Sequence, residues 1–236
     1  MKPTIVILAA GMGTRLGNSA PKCLTKLDTG ETIMGRQLAA IKEVYGEDTK
    51  VNIVVGYKSE AIIEEFPNEN FIHNDEYDIT NTSKSLLKAL SFARWKNSSG
   101  VLWFNGDVVY DKDLLFYLNN VLNQNTVTVN TSSVSDEEVK YTVNSDGKID
   151  SLSKVVPLDK ALGEAVGINF VTKQYIPDFM DALRSVGQQD YFEKGIERMV
   201  NNNVPWVPFD ISYLGLNAVE VDFAADLDKA NATFAG

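Results

Sequence analysis

The residues Thr4 to Leu8 (TIVIL) are β-branched or apolar throughout, with apolar residues on both faces. A strand of that kind has two buried faces, which only a central parallel strand covered by helices on both sides provides. The same unit recurs. Residues 51–55 (VNIVV), 70–73 (NFIH), 101–104 (VLWF) and 126–130 (TVTVN) read as strands. Between them lie helical patterns at 33–45, 58–65, 83–96 and 112–122. Alternating strand and helix up to residue 130 predicts a parallel sheet wound on both faces.

The pattern then changes. Residues 138–153 alternate around Asp146-Gly147, a hairpin signal. A strand follows at 165–171, then helices at 175–185 and 190–201, a short strand at 219–222 and a last helix at 223–232. No repeat, low-complexity segment or linker interrupts the chain, so 1–236 reads as one domain: a parallel α/β core (1–130) and a later elaboration (131–236).

Of the 236 residues, 44% are hydrophobic and 23% charged, and the net charge is −10. So acidic a surface argues against nucleic acid or anionic membranes as partners. Cys23 is the one cysteine, which suits a reducing compartment. The apolar run before Gly11 is too short to span a bilayer, and Arg15 and Lys22 stand where a leader would be cleaved. These features are read as a cytoplasmic protein.

The loop after the first strand, "LAAGMGTRLGNSAPKCL", combines Gly11-x-Gly13 with two cations. Glycine lets backbone N–H groups approach a phosphate closely, and Arg15 and Lys22 supply positive charge. A dinucleotide fingerprint needs a third glycine where Leu16 stands, and a P-loop needs Gly-Lys-Ser/Thr; both are missing. Taken singly, these residues also suit a plain strand–helix turn.

The two-part phrase "LAAGMGTRL…PKCLTKL" resembles the signature of the nucleotidyltransferases that join a nucleoside triphosphate to a phosphorylated metabolite. The resemblance implies a Rossmann-like three-layer α/β fold with a mostly parallel mixed sheet and a small hairpin elaboration. By the same resemblance, Leu8, Ala9, Ala10, Gly11, Gly13 and Thr14 wrap the nucleotide, Arg15 holds phosphates and Lys22 lies near the α-phosphate. Fixed cations stabilise charge developing on phosphorus oxygens and on leaving pyrophosphate.

A triphosphate calls for a divalent cation, and Mg²⁺ takes one or two carboxylates with phosphate and water. Asp107, in "WFNGDVVYD", follows a strand at the edge where open α/β sheets bind ligands; alone it is also an ordinary Asn-Gly-Asp turn. In "VEVDFAADLDKA", alternation puts Glu220 and Asp222 on one side of a strand, although Asp222 also suits a helix cap. The resemblance makes Asp107 and Asp222 the metal ligands and Glu220 their neighbour. Ala218 departs from relatives, many of which have an aromatic residue there.

Gly56-Tyr57 matches the family's second nucleotide segment. The Pro-Leu-Gly phrase of sugar nucleotidyltransferases is absent. A Tyr77…Thr80-Asn81…Ser85 pattern stands instead, similar to the phosphocholine and phosphonate cytidylyltransferases. Thr82 or Ser83 as helix cap would leave Asn81 free for ligand. For the acceptor, Lys154, Lys140, Glu164, Tyr191, Glu193 and Glu220 are candidates. His73 reads as structural, and Cys23 has no nucleophilic role. The expected reaction joins CTP, or another NTP, to a small phosphorylated or phosphonate acceptor with Mg²⁺, releasing pyrophosphate. A homodimer is left open. The rival expectations are a sugar-1-phosphate nucleotidyltransferase and a catalytically silent nucleotide-binding subunit.

Overall fold

A computed structural model describes residues 1–13, 16, 20–132 and 134–235. Arg15 and Thr14 lie outside the described residues. The first strand, β1 (Thr4–Ala9), stands in the middle of the sheet with all its central side chains buried. It is followed by α1 (Ile33–Tyr45), β2 (Asn52–Val55), α2 (Ser59–Glu65), β3 (Asn70–His73), α3 (Thr82–Phe92) and β4 (Gly100–Asn105). Strand β1 pairs in parallel with β2 and β4, and β2 with β3, as expected for unbroken apolar strands.

The second half returns through the sheet. It comprises β5 (Val108–Tyr110), α4 (Leu114–Leu118), β6 (Thr126–Asn130), β7 (Lys140–Val143), β8 (Ile149–Ser153), β9 (Gly163–Thr172), α5 (Ile176–Ser185), α6 (Phe192–Asn201), β10 (Val207–Asp210), β11 (Ala218–Glu220) and α7 (Ala224–Thr233). The order across the main sheet is β10-β6-β9-β4-β1-β2-β3. Strand β9 is antiparallel to both β4 and β6 and separates them, so 126–130 does not extend the parallel run directly. The sheet is mixed but mostly parallel, with helices on both faces.

One face packs Ile5, Ile7, Leu102, Phe104, Ile168 and Phe170 against α1 and α4. The other packs Val6, Trp103, Val127 and Val171 against α3, α5 and α6. Each cluster takes residues from both halves of the chain. Trp103 sits at the heart of the second, with the rings of Phe192, Phe179 and Trp206 centred 5.5, 5.6 and 6.2 Å away.

The helices start and stop where local chemistry directs. Thr32 caps α1 by accepting from Gly35 N at 3.0 Å, and Gly46 (φ 96°) closes it. The expected helix at 83–96 ends earlier, at Phe92, and a separate short turn follows at Trp95–Asn97. The expected hairpin forms as β7 and β8, with Gly147 at φ 72° in its turn. It is not a free arm. Strand β7 also pairs with β9, and Tyr141, Ile149 and Leu152 are in the core.

Two short strands lie off the main sheet, one of them, β11, answering the strand expected at 219–222. β5 and β11 pair antiparallel as a separate ribbon, with Glu220 opposite Val108. That ribbon, together with the loops leaving β1, β2 and β4, frames one edge of the sheet. Among the described residues no helix is long and apolar enough to cross a membrane.

Candidate active site

The loops at the carboxyl ends of β1, β2 and β4 are laced together by backbone. Gly106 N donates to Leu8 O (2.9 Å), and Tyr57 N donates to Ala10 O (3.0 Å). A side chain at Gly106 would meet Leu8 O at 2.8 Å, so only glycine permits this approach. The side chains of Leu8 and Ala10 are core residues. Beside them, among the described residues, nothing lies within 4 Å of where a Cβ on Gly11 would stand.

Asp107 is aimed by its surroundings. The buried Gln37 of α1 donates from Nε2 to Asn105 O (2.9 Å) and Val108 O (2.8 Å), clamping the turn that carries Asp107. Val221 N then donates to Asp107 O (2.9 Å), extending the β5–β11 ribbon past its last paired residue. This brings Asp222 beside Asp107. Asp226 accepts from Asp222 N (3.0 Å) and Phe223 N (2.7 Å), so it, and not Asp222, supplies the carboxylate at the start of α7.

Lys22 completes the set. It begins a short 3-10 turn (Lys22–Leu24) anchored by the buried Cys23. Its Nζ donates to Asp107 Oδ2 at 2.8 Å and also to Asp222 Oδ1. The partners lie 85 and 200 residues away in sequence. Burial opposes the charge on Lys22, but Asp107 and Asp222 outweigh it and hold the ammonium's pKa above its ordinary value. The stem of Lys22 runs over Gly13, where a Cβ would meet Cγ at 2.7 Å.

Asp107, Glu220 and Asp222 each offer a carboxylate oxygen, and the three lie within 4.8 Å of one another. Hard oxygen donors at this separation suit Mg²⁺, whose ligands stand about 2.1 Å from the ion. Burial, then the charges of Asp107, Glu138 and Asp222, push the Glu220 carboxyl well above the usual range, with Lys22 pulling the other way. Repulsion of this kind is what a bound cation relieves.

Glu138, which the sequence reading does not single out, feels Lys154, Asp222, Asp226 and Asp107. Only its fold neighbours reveal it. Lys154 and Tyr191, separate candidates in sequence, meet here: Lys154 Nζ lies 5.2 Å from the centre of the Tyr191 ring. Two residues on, Glu193 is buried, and its Oε2 has no hydrogen-bond partner among the described residues. Burial raises its carboxyl to about 7, opposed in part by Lys154. Glu164 is on β9, its carboxyl raised by burial and by Glu138.

Other candidates have different roles. Lys140 is 1% exposed, and its Nζ donates to the carbonyls of Asp136 (2.8 Å) and Glu138 (3.3 Å). This candidate for the acceptor is therefore a buried tie, because β7 is annealed to β9. Asn81 is not left free by its neighbours. It caps α3 itself, accepting from Thr82 N (2.8 Å) and donating to Gln189 O (3.3 Å). Thr80 and Ser85 both accept from the buried Asn74 (3.0 and 3.1 Å), which organises the segment. Tyr77 stands against Gly56, with its ring 6.4 Å from that of Tyr57. His73 is exposed. The Cys23 thiol is pushed up to about 12 by burial, leaving it unreactive.

The fold is shared widely. The CTP:phosphocholine cytidylyltransferase of Streptococcus pneumoniae superposes with a TM-score of 0.78 at 18% identity, covering 99% of this chain and 100% of that one. The inositol-1-phosphate CTP transferase of T. maritima gives 0.75 at 17%, covering 97% and 96%. A putative glucose-1-phosphate thymidylyltransferase from Bacillus anthracis gives 0.77 at 14%, covering 98% and 94%. In sequence, the bifunctional protein GlmU of Campylobacter lari is 33% identical over 90 residues, 36% of this chain, and the match spans only 20% of that protein. Residues 5–194 match the MobA-like NTP transferase domain. With that match running from β1 through the start of α6, the chain belongs to the MobA-like NTP transferase family of nucleotidyltransferases.

Proposed function

We propose that the protein transfers CMP from CTP to a small phosphorylated or phosphonate acceptor, releasing pyrophosphate. The observation that carries this reading is the meeting of Lys22 with Asp107 and Asp222 beside the glycine loop. A cation next to a carboxylate set is what in-line attack on an α-phosphate requires. Asp107 and Asp222, with Glu220, would hold Mg²⁺, which when bound would neutralise charge on the triphosphate.

The chain's own residues divide the remaining work. The backbone from Ala10 to Gly13, with Gly56 and Tyr57, would receive the base and ribose. Tyr77 would stand against this surface, while Thr80, Asn81 and Ser85 would shape it from behind. Lys22, and Arg15 from the same loop, would meet the phosphates. Lys154, exposed beside Tyr191, would meet the acceptor's phosphate or phosphonate. Attack by the acceptor oxygen on phosphorus needs no protein nucleophile, so positioning and charge stabilisation suffice.

Pyrophosphate release is the test. Four NTPs crossed with phosphocholine, aminoethylphosphonate and sugar-1-phosphates should give a maximum with CTP and one of the first two acceptors. A maximum with a sugar-1-phosphate would replace the acceptor assignment. No release with any pair would favour a silent subunit.

A further inference from the structure

The Lys22 ammonium occupies the place a metal ion would need. It bonds two of the three carboxylates, Asp107 and Asp222, that lie within ligand distance of one another. The contact is sheltered: the side chains of Lys22, Asp107 and Asp222 are 14%, 20% and 30% exposed. A sheltered ion pair is screened weakly by salt, so it competes effectively with a second cation for the same oxygens.

Lys22 is also anchored at its backbone, apart from its ion pairs. Its stem passes over Gly13, which presents no side chain, and its backbone is fixed independently through the turn and the buried Cys23. A lysine carries its charge on a flexible four-carbon stem. A triphosphate arriving at the glycine loop offers a denser negative charge than the two carboxylates do.

We propose that Lys22 is an internal stand-in for the divalent cation. In nucleotide-free protein it neutralises Asp107 and Asp222 and keeps the metal out. Triphosphate draws the ammonium onto phosphate oxygens and opens the carboxylates to the ion. Metal and nucleotide therefore bind with positive coupling, and metal alone binds weakly. This inference rests on the metal assignment proposed above.

The test is a Mn²⁺ titration of the wild type, Lys22→Met, Lys22→Gln and Asp107→Asn, with and without CTP and without acceptor. Protein-bound Mn²⁺ is read by water-proton relaxation, with Mn²⁺–CTP alone as baseline. Without CTP, Lys22→Met should bind Mn²⁺ about tenfold or more tightly than wild type, within the usual range of coupling between sites. It should also gain more melting temperature on Mn²⁺ addition, and CTP should narrow the gap in affinity. Lys22→Gln, closer to lysine in polarity, should behave alike if the methionine variant folds poorly. Equal affinity in wild type and both Lys22 variants, lost in Asp107→Asn, would overturn the stand-in role but keep the metal site. No binding to any protein, even with CTP, would overturn both.

Discussion

Val221 donates its amide to the carbonyl of Asp107, and this backbone bond carries the distant carboxylate of Asp222 to the side of Asp107. The β5–β11 ribbon thereby turns two unrelated stretches of sequence into one acidic site. An isosteric change at Asp107 leaves that bond intact, because it uses only the main chain.

Asp107→Asn should accordingly fold normally and lose activity. Removing one preorganised charge from such a site costs on the order of 10²-fold or more in rate. Pyrophosphate release should fall by about that much while the melting temperature stays within a few degrees of wild type. Full activity with unchanged metal dependence would remove Asp107 from the metal site.

Two glycines in one loop should respond differently. Gly13 is at φ 56°, and a Cβ there meets Lys22 Cγ at 2.7 Å. Gly13→Ala should cost about 1–2 kcal/mol of stability and lower kcat by displacing Lys22. A Cβ at Gly11 meets nothing among the described residues. Gly11→Ala should leave the melting temperature nearly unchanged and raise KM for the nucleotide several-fold. Denaturation curves and steady-state kinetics on both variants separate the two effects.

Lys154 and Lys140 should also part company. Lys154 is exposed beside Tyr191, so Lys154→Met should raise KM for the acceptor without altering stability or KM for the nucleotide. Lys140 ties buried carbonyls, so Lys140→Met should cost about 1–3 kcal/mol of folding free energy, the usual penalty for unpaired buried polar groups. Urea unfolding of both variants, beside acceptor titrations, is the check.

Glu193 makes stability depend on pH. Its carboxyl is raised from 4.5 to about 7 in the fold. The folded state therefore binds more protons than the unfolded state between those values, and stability falls as pH rises through that window. The raised pKa corresponds to about 3 kcal/mol lost by pH 8, at 1.36 kcal/mol per unit. Glu193→Gln should flatten this dependence and be the more stable protein at pH 8. Thermal melts from pH 4.5 to 8 would show it; parallel curves for the two proteins would contradict it.

The parallel half of the fold was legible because its strands are apolar on both faces and its helices keep a 3.6-residue period. Ile33 to Tyr45 and Asn70 to His73 were recoverable to the residue. Strands β5 and β10 were harder, and β11 showed only through the alternation around Glu220 and Asp222. Three or four residues, as in Val108–Tyr110, are too few to establish a period. The strand at 165–171 was visible, but its place between β4 and β6 depends on which edges remain unpaired, not on its composition. Lys22, Asp107 and Asp222 stood out through glycine turns and motif order. Gln37, Asn74 and Glu138 did not, since each acts through partners that only the tertiary structure supplies. Asn81 misled for a related reason: which of several polar residues caps a helix depends on where the incoming chain turns.

The position of β9 has a consequence for synthesis. A nascent chain that has emerged only to residue 130 holds β4 with one edge unpaired, because the partner at Gly163–Thr172 has not yet been made. Val101, Trp103 and Val127 likewise wait for α5 and α6 to cover them. The first half on its own should therefore be open and sticky, with closure waiting for the strand from the second half. A fragment ending at residue 130 should aggregate or bind a hydrophobic dye such as ANS, whereas one extended past α6 should resist proteolysis.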